Sequence, residues 1–541
     1  MNAVAPALDS DTTLPPAPPQ PATPPAAAAL AGPTPRQKLG FFAMVFGMFM
    51  AILDIQIVSS SLAEIQAGLS ASADEISWVQ TSYLIAEIIM IPLSGFLSRL
   101  LSTRILFCLS AVTFTAMSVA CAAASSIGEM VLLRALQGFL GGAMIPTVFA
   151  TSFILFPGAK RVPVSVMMGL VATLAPTIGP TLGGYLTQWL SWHWLFLINL
   201  APGLLIAALV WHLLDIDRPD WSLLKHFDYA GLLFMAVFLG SLEYVVDEGP
   251  RHDWLADAVV RNLAITCAAA GVLFFWRVLS YHQPIVDLRA FADRNFTLGC
   301  LFSFVLGIGL YGAVYLVPLF LARVRGLNSL QIGEIMFVTG LFQFLSAPLA
   351  GRLARVMDLR AMLALGLALF GSGVYLMSFM TADWDFWELF WPQALRGISL
   401  MLCFLPINTL ALGTLPPHKL KNASGLYNLM RNLGGAIGLA LINTLLLERF
   451  NLHWARLGEQ INPVRPEVQL RLESLTQHLS GLVDGDPHAA AIRLLGRQVQ
   501  QQALVLTFND CLLAMAAVFF LALLFMPLLR RPQQAAGGAA H

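Results

Sequence analysis

The chain has 541 residues, of which 57% are hydrophobic and 11% are charged, and its formal net charge is zero. Soluble domains carry about 25% charged residues, so a chain this apolar cannot cover itself with polar surface in water. The composition excludes an ordinary soluble globule and gives no sign of nucleic-acid binding. It indicates that lipid forms part of the solvent.

The first predicted element is a disordered tail. Residues 1–36 are rich in Pro and Ala and lack the short apolar stretch of a cleavable signal peptide. The remaining chain contains runs of about 20 mostly apolar residues, the length that a membrane-spanning helix needs. They are too long for strands and lack period-two alternation, so helices are favoured over a barrel. We place fourteen spans near 39–61, 76–97, 104–124, 128–154, 162–186, 194–214, 229–247, 259–279, 296–320, 331–353, 361–379, 390–414, 423–447 and 507–529.

Lys and Arg are concentrated in alternate short loops, with Arg323 and Arg325 as exceptions. The positive-inside rule then places both termini in the cytoplasm, including a tail at 530–541, and predicts a multi-pass protein of the bacterial inner membrane. Segment 448–505 faces the periplasm in this arrangement. Apolar residues recur at helical spacing around 466–482 and 488–503, which predicts a partly helical loop. An adaptor-docking surface and a variable capping loop are equally compatible with it.

The chain contains an internal repeat. Residues 92–99 (PLSGFLSR) match residues 348–355 (PLAGRLAR), and Ala135–Gly138 (ALQG) matches Ala394–Gly397 (ALRG) at nearly the same offset. Transporters often carry such duplications, with a substrate cavity between the two halves near the bilayer midplane. We therefore expect two six-helix bundles, at 37–214 and 295–529, with an inserted helix pair and linkers at 215–294.

Five segments carry a resemblance to a known family. They are LDIQIV at 53–58, GFLSRLLSTR at 95–104, LRALQG at 133–138, a Gly- and Pro-rich stretch at 169–184 and SWHWLFLIN at 191–199. Together they resemble the major facilitator superfamily, specifically its fourteen-helix drug:proton antiporter family, of EmrB and QacA type. The resemblance covers roughly residues 37–447. It implies proton-coupled export of drugs, dyes, detergents or fatty acids, in some members with a periplasmic adaptor protein and an outer-membrane channel.

The chain departs from the family pattern at four motif positions. Gln56 stands where Thr is usual and His193 where Arg is usual, and in the loop at 95–104 Arg99 replaces the usual Asp and Ser102 replaces the second Gly. The family assigns a conformational latch to the charge relay of that loop. The sequence lacks the acid of this relay.

Three ionisable residues within the spans are candidates for proton coupling. Asp54 lies in the first span, where a carboxylate costs about 3 kcal/mol and is a functional candidate by default. Burial favours its neutral form, so it could carry a proton. Glu87 is a second protonatable site, a partner for a cationic substrate or a structural ion pair. Arg134 needs a partner in lipid and could tune a nearby carboxylate. In contrast, we expect Glu243 to be a solvated or interfacial acid.

Other polar or aromatic residues are candidates for lining the substrate cavity: Gln56, Tyr83, Gln137, Asn428 and Arg431. A further group suits a tightly packed, bent fifth helix at the seam between the halves, because Gly lets backbones approach and Pro bends a helix. The members of this antiporter-motif group are Gly169, Pro176, Gly179, Pro180, Gly183 and Gly184.

The sequence predicts neither a cofactor nor a metal site. The six cysteines lie in apolar runs without metal-ligand spacing, and no phosphate-binding GxxxxGK[ST] loop appears, so the proton gradient is the expected energy source rather than ATP. The chain is therefore expected to be a transporter and not an enzyme. Two alternatives stay open: a proton-coupled symporter for a specific metabolite, and a non-transporting membrane sensor or scaffold.

Overall fold

A computed structural model describes residues 33–156, 158–462, 464–480 and 486–531. These residues form helices and connecting turns, with no strand among them. Fourteen of the described helices are long and apolar enough to cross a membrane, which confirms the predicted all-α class. They are α1 (Pro35–Ser60), α2 (Trp78–Leu100), α3 (Thr103–Ala122), α4 (Ile127–Leu155), α5 (Arg161–Trp189), α6 (Trp194–Leu213), α7 (Tyr229–Glu248), α8 (Ala258–Ser280), α9 (Arg294–Arg323), α10 (Ser329–Val356), α11 (Leu359–Met377), α12 (Phe386–Leu412), α13 (Pro417–Gln460) and α14 (Pro487–Leu523).

The first helix begins at a local capping signal. Gln37 N–H donates to Thr34 Oγ1 at 3.2 Å, while Thr34 N–H donates to Gln37 Oε1 at 3.0 Å. Pro35 occupies the first helical position, where its missing N–H costs nothing. The helix therefore includes Pro35 and Arg36, which the sequence had assigned to the tail. The rest of the predicted tail, residues 1–32, lies outside the described residues, as does the C-terminal tail from residue 532.

The helices pack as two groups of six with a pair between them in the chain. In the first group α1 packs on α5 and α6, and α2 packs on α4. In the second, α9 packs on α13, and α12 packs on α10 and α11. The groups meet where α5 lies against α10 and α2 lies against α13. The pair α7 and α8 pack on each other, and α7 also contacts α2. The α5–α10 and α2–α13 contacts are thus the two main seams between the groups.

The last two membrane helices extend well beyond a bilayer. The 44 residues of α13 and the 37 residues of α14 span about 66 and 55 Å at 1.5 Å per residue, against a hydrocarbon core of about 30 Å. Segment 448–505 is thus only partly a loop. Much of it continues α13 and α14, and a helix at Pro466–Leu479 packs on α14. The predicted span near 423–447 lies within α13 and most of that near 507–529 lies within α14, and both helices continue past these spans into more polar sequence.

The helical hairpin, defined as residues 448–506, is fastened at its base by charged side chains. Arg449 Nε donates to Asp510 Oδ2 at 2.8 Å, and His453 Nε2 lies 2.7 Å from the same oxygen. The contacts join α13 to α14 near the predicted membrane boundary. We call this end of the molecule the hairpin face and the opposite end, where α1 begins and α14 ends, the terminal face.

Candidate functional site

A buried polar network surrounds Asp54 inside the first bundle. Arg134 Nη1 donates to Asp54 Oδ2 at 2.8 Å, and both side chains are fully buried. Asn199 Nδ2 and Gln137 Nε2 donate to Asp54 Oδ1 at 2.7 and 3.3 Å. Three donors and no acceptor face this carboxyl group, which is the hydrogen-bonding pattern of an ionised carboxylate. In this conformation Asp54 is therefore held as one half of an ion pair.

The network extends to two residues that the sequence reasoning did not select. Asn199 Nδ2 also donates to Ser118 Oγ at 3.0 Å, and Ser118 Oγ donates to the carbonyl of Phe196 at 2.9 Å. Asn199 closes the SWHWLFLIN segment, so the motif itself carried a signal for its role. Ser118 lies in an apolar stretch of α3 and has no such signal. The network thus joins α1, α3, α4 and the start of α6.

Arg134 is held from several sides. Its Nη1 also donates to Gln137 Oε1 at 2.7 Å, and its Nε donates to the carbonyl of Val79 at 3.3 Å. The guanidinium carbon lies 4.2 Å from the centre of the Tyr83 ring, within the range of a cation–π interaction. Nη2 has no hydrogen-bond partner in the described structure. Tyr83 and Gln137, predicted as cavity residues, therefore belong to the Asp54–Arg134 network.

Glu87 is buried without such support. Its exposed fraction is 3%, and within the described ranges it makes no hydrogen bond or ion pair. Its charged neighbours are Arg431 of the second bundle and Arg134 and Asp54 of the first. Charges of both halves thus act on Glu87, while Asp54 has a cation in direct contact. The two acids that the sequence selected have different environments.

The second bundle repeats the Arg134–Gln137 pair with its members exchanged. In the aligned repeat Arg396 stands at the position of Gln137, and Gln393 stands at the position of Arg134. Arg396 Nη1 donates to Gln393 Oε1 at 2.6 Å, nearly the distance found in the first bundle. Among the described carboxylates, none forms an ion pair with Arg396, so this half holds the cation without an acid.

Two predicted cavity residues pair with each other in α13. Arg431 Nη2 donates to Asn428 Oδ1 at 2.8 Å, and the guanidinium lies 5.4 Å from the Phe149 ring of the first bundle. Arg431 Nη1 has no partner in the part of the chain that is described. Both side chains are almost fully buried, so in this conformation the pair lies at the contact of α13 with Phe149 of the first bundle.

The fifth helix approaches its neighbours through glycine. A Cβ added at Gly179 would lie 2.4 Å from Cβ of Gln56 on α1, and one at Gly183 would lie 2.9 Å from the carbonyl of Ile57. At Gly169 it would lie 2.6 Å from the Phe404 ring on α12. Gln56, another predicted cavity residue, therefore packs against α5.

The rest of the antiporter-motif group lies in the same helix. Pro176 and Pro180 are inside α5, which continues through both. Gly184 is partly exposed, and its carbonyl accepts from Thr187 Oγ1 at 3.1 Å. Across the seam, Gln343 of α10 donates to Thr173 Oγ1. The group thus gives α5 its close fit between α1, α10 and α12.

An ion pair joins the two halves at the terminal face. Lys421, near the start of α13, donates to Asp217 Oδ2 and to the carbonyl of Ser98 at 2.9 Å. Asp217 also accepts from the backbone N–H of Thr103 at 3.0 Å. We call the Lys421–Asp217 pair and its contacts the clasp. Asp217 lies in the linker after α6 and contacts the α2–α3 loop at Thr103. In the family motif, the acid at this place belongs to the loop itself.

The loop itself keeps the glycine-like turn of the motif. Ser102, which replaces the second Gly, has a φ of 79°, in the region that favours glycine. Its side chain accepts from the N–H of Ile105 at 3.4 Å and so begins α3. Close packing completes the contact: a Cβ on Gly95 would lie 2.8 Å from Cα of Asn422. The terminal face is therefore closed between α2 and α13.

Breaking the clasp should open this face. A hydrogen bond to a charged group contributes about 1.5–3 kcal/mol, so Lys421→Gln should raise the population of open states about tenfold or more. An introduced Ser94→Cys, buried beside the clasp, should then react about tenfold faster with a water-soluble maleimide. The six native cysteines are buried and give a low background. Lys419→Gln removes a nearby charge from the same helix and should leave the rate unchanged; equal rates in both variants would contradict a role for the clasp.

Comparison with known proteins identifies relatives along most of the chain. A model of the Major Facilitator Superfamily matches residues 44–439. The "Colistin resistance protein EmrB" of Acinetobacter baumannii is 46% identical over 480 residues, which cover 89% of this chain and 94% of that protein. The "Multidrug export protein EmrB" of Escherichia coli K12 is 30% identical over 497 residues, covering 92% and 96%.

The fold is also similar to solved structures. The crystal structure of the human organic anion transporter MFSD10 (TETRAN) superposes with a TM-score of 0.58, covering 91% of this chain and 100% of that one. Sequence identity is 13%, so the likeness concerns the fold alone.

Proposed function

The chain belongs to the major facilitator superfamily, and on that premise we propose that it exports lipophilic drugs, dyes or fatty-acid-like compounds in exchange for protons. The match along most of its length to export proteins supports this function. It also agrees with the motifs at 53–58 and 133–138, on which the family was predicted. A transporter of this family moves its substrate by alternating access between two half-structures.

The observation that carries the proposal is the different setting of two buried acids in one bundle. Asp54 is paired with Arg134 at 2.8 Å, whereas Glu87 is buried and makes no hydrogen bond with any described residue. Donors that contact a carboxylate stabilise its charge, and Glu87 has none among the described residues, whereas Asp54 has three. We infer that Glu87 exchanges a proton first, and that Asp54 does so when a change of conformation separates it from Arg134.

Proton and substrate would compete for these groups. A cationic substrate near Glu87 favours the ionised acid and so releases its proton, and by linkage a proton on the acid weakens the binding of the cation. The positive charge of Arg431, on the opposite half, also acts on Glu87. Antiport follows if the two ligands bind the same acids in alternation.

The orientation follows from the distribution of basic residues. We infer that the terminal face lies in the cytoplasm and the hairpin face in the periplasm of a bacterial inner membrane, because Lys and Arg are concentrated in the short loops of the terminal face. The clasp closes that face, so this conformation keeps the cytoplasmic entrance shut. We propose that the hairpin at 448–506 is the part that meets a periplasmic adaptor and, through it, an outer-membrane channel.

Proton flux tests the function. Purified protein in liposomes with an imposed pH gradient should move protons when lipophilic cations or fatty acids are added, and Glu87→Gln should reduce the number of protons moved per substrate. Glu248→Gln is a matched control, because Glu248 is equally buried but paired with Arg251 at 3.3 Å. If no compound in the panel moves protons, with or without an adaptor protein, the export function is wrong.

A further inference from the structure

The inserted helix α7 forms a specific interface with α2 of the first bundle. Thr81 of α2 donates to Asp247 of α7, and the rings of Trp78 and Tyr244 lie 5.5 Å apart. One turn before Tyr244, Gly240 lies so close to α2 that an added Cβ would lie 3.5 Å from the side chain of Ile85. These contacts run along one face of each helix. The inserted pair is thus fitted to the bundle that holds the Asp54 network.

Glu243 lies in this region and differs from our expectation of a solvated acid. Its exposed fraction is 4%, and its Oε2 has no hydrogen-bond partner within the described chain. The acids that act on it electrostatically are Asp247 of the same helix and Glu87 of α2. The sequence suggested an interfacial position because Glu243 lies toward one end of the span. In the fold, α2 covers that end.

The surrounding cations are already engaged. Arg251 and His252, which follow α7, contact Glu248 at 3.3 and 3.5 Å. The charged residues of α8 lie toward its two ends, and Arg277 is paired with Asp228 at 2.9 Å. From α13, Arg431 is hydrogen-bonded to Asn428 and acts on Glu87, while Glu448 is exposed. Thus no cation of the described chain contacts Glu243, and the nearby charged residues named above that are not already paired are acids.

A carboxyl group in these surroundings binds a proton. Removal from water penalises the charged form, and a neighbouring acid penalises it again.

We propose that Glu243 is a third membrane-embedded proton-binding site, supplied by the inserted helix pair at its interface with α2. The inserted pair then has a part in proton coupling and is more than a spacer between the halves. This inference rests on the proposed function for the use made of the proton, but the existence of the site does not depend on any substrate.

Infrared difference spectroscopy tests the site without a substrate. At neutral pH the wild-type protein should show the carbonyl band of a protonated carboxyl group, and Glu243→Gln should lose part of it. Glu248→Gln, equally buried on the same helix, should keep both the band and its pH titration. Spectra of Glu243→Gln that match the wild type throughout the titration would overturn the proposal.

A second measurement shows whether the proton is used. In weakly buffered detergent solution, tetraphenylphosphonium should release fewer protons per bound cation from Glu243→Gln than from the wild type, and Glu87→Gln/Glu243→Gln should release fewest. If the wild type releases none, the antiport function fails while the infrared result still decides the site. If Glu243→Gln changes the infrared titration but not the release, the site exists and the coupling role is wrong.

Discussion

Replacing Asp54 with Asn is expected to abolish substrate-triggered proton movement while the protein still inserts and folds. The amide keeps the shape of the side chain but cannot bind and release a proton. It also leaves Arg134 without its counter-ion, and removing one partner of a buried pair costs about 3–5 kcal/mol. We therefore expect proton flux in liposomes to fall to the protein-free background, together with a lower melting temperature.

Two further variants accompany this change. Asp510→Asn breaks a partly exposed Asp–Arg contact of 2.8 Å, with Arg449 at the base of the hairpin, so it should cost less stability than Asp54→Asn and leave the proton flux intact. Arg134→Lys keeps the charge but not the planar group that donates to both Asp54 and Gln137, so it should weaken coupling. If folded Asp54→Asn still couples transport to a pH gradient, Asp54 is not a proton site.

The second large effect is steric and lies in α5. Gly179→Leu should abolish resistance to exported compounds in cells, because even its Cβ would lie 2.4 Å from Cβ of Gln56. Overpacking of this kind costs about 1–3 kcal/mol or more, and α1 can relieve it only by moving away from α5. Since Gln56 lies two residues after Asp54, that movement would also disturb the Asp54–Arg134 network. Growth on dyes or antibiotics, normalised to protein in the membrane, measures the effect.

The same substitution elsewhere provides the control. A Cβ at Gly458 would meet no atom within 4 Å, so Gly458→Leu should retain wild-type resistance. Gly179→Ala should have an intermediate effect, since it adds only the first clashing atom. Wild-type resistance with Gly179→Leu would show that α1 and α5 are not closely packed during transport.

The sequence predicted those features that follow from hydrophobic length and from motifs. Fourteen apolar runs predicted fourteen membrane helices, and the LRALQG segment identified Arg134 together with Gln137. The sequence could not show that Asp54 is paired with a cation and Glu87 is not, because that difference arises from side chains of other helices. Ser118 had no signal at all, since a serine in an apolar helix is common.

Polar segments outside lipid were the harder part. The sequence predicted helix around 488–503, but not that the extensions of α13 and α14 are continuous with the membrane helices, because their polar composition resembles that of a loop. Asp217 escaped for a different reason. It lies in a linker whose sequence gives no hint that it reaches the α2–α3 loop, so the missing acid of the loop motif seemed to be a loss.

The helix α14 runs without a break from the second bundle into the hairpin. From Pro487 to Thr507 the helix covers about 30 Å at 1.5 Å per residue, without a break to absorb rotation. Each degree of tilt in the bundle thus displaces the Pro487 end of α14 by about 0.5 Å over that length. The hairpin would amplify the transport cycle into a motion that a protein bound outside the membrane could detect.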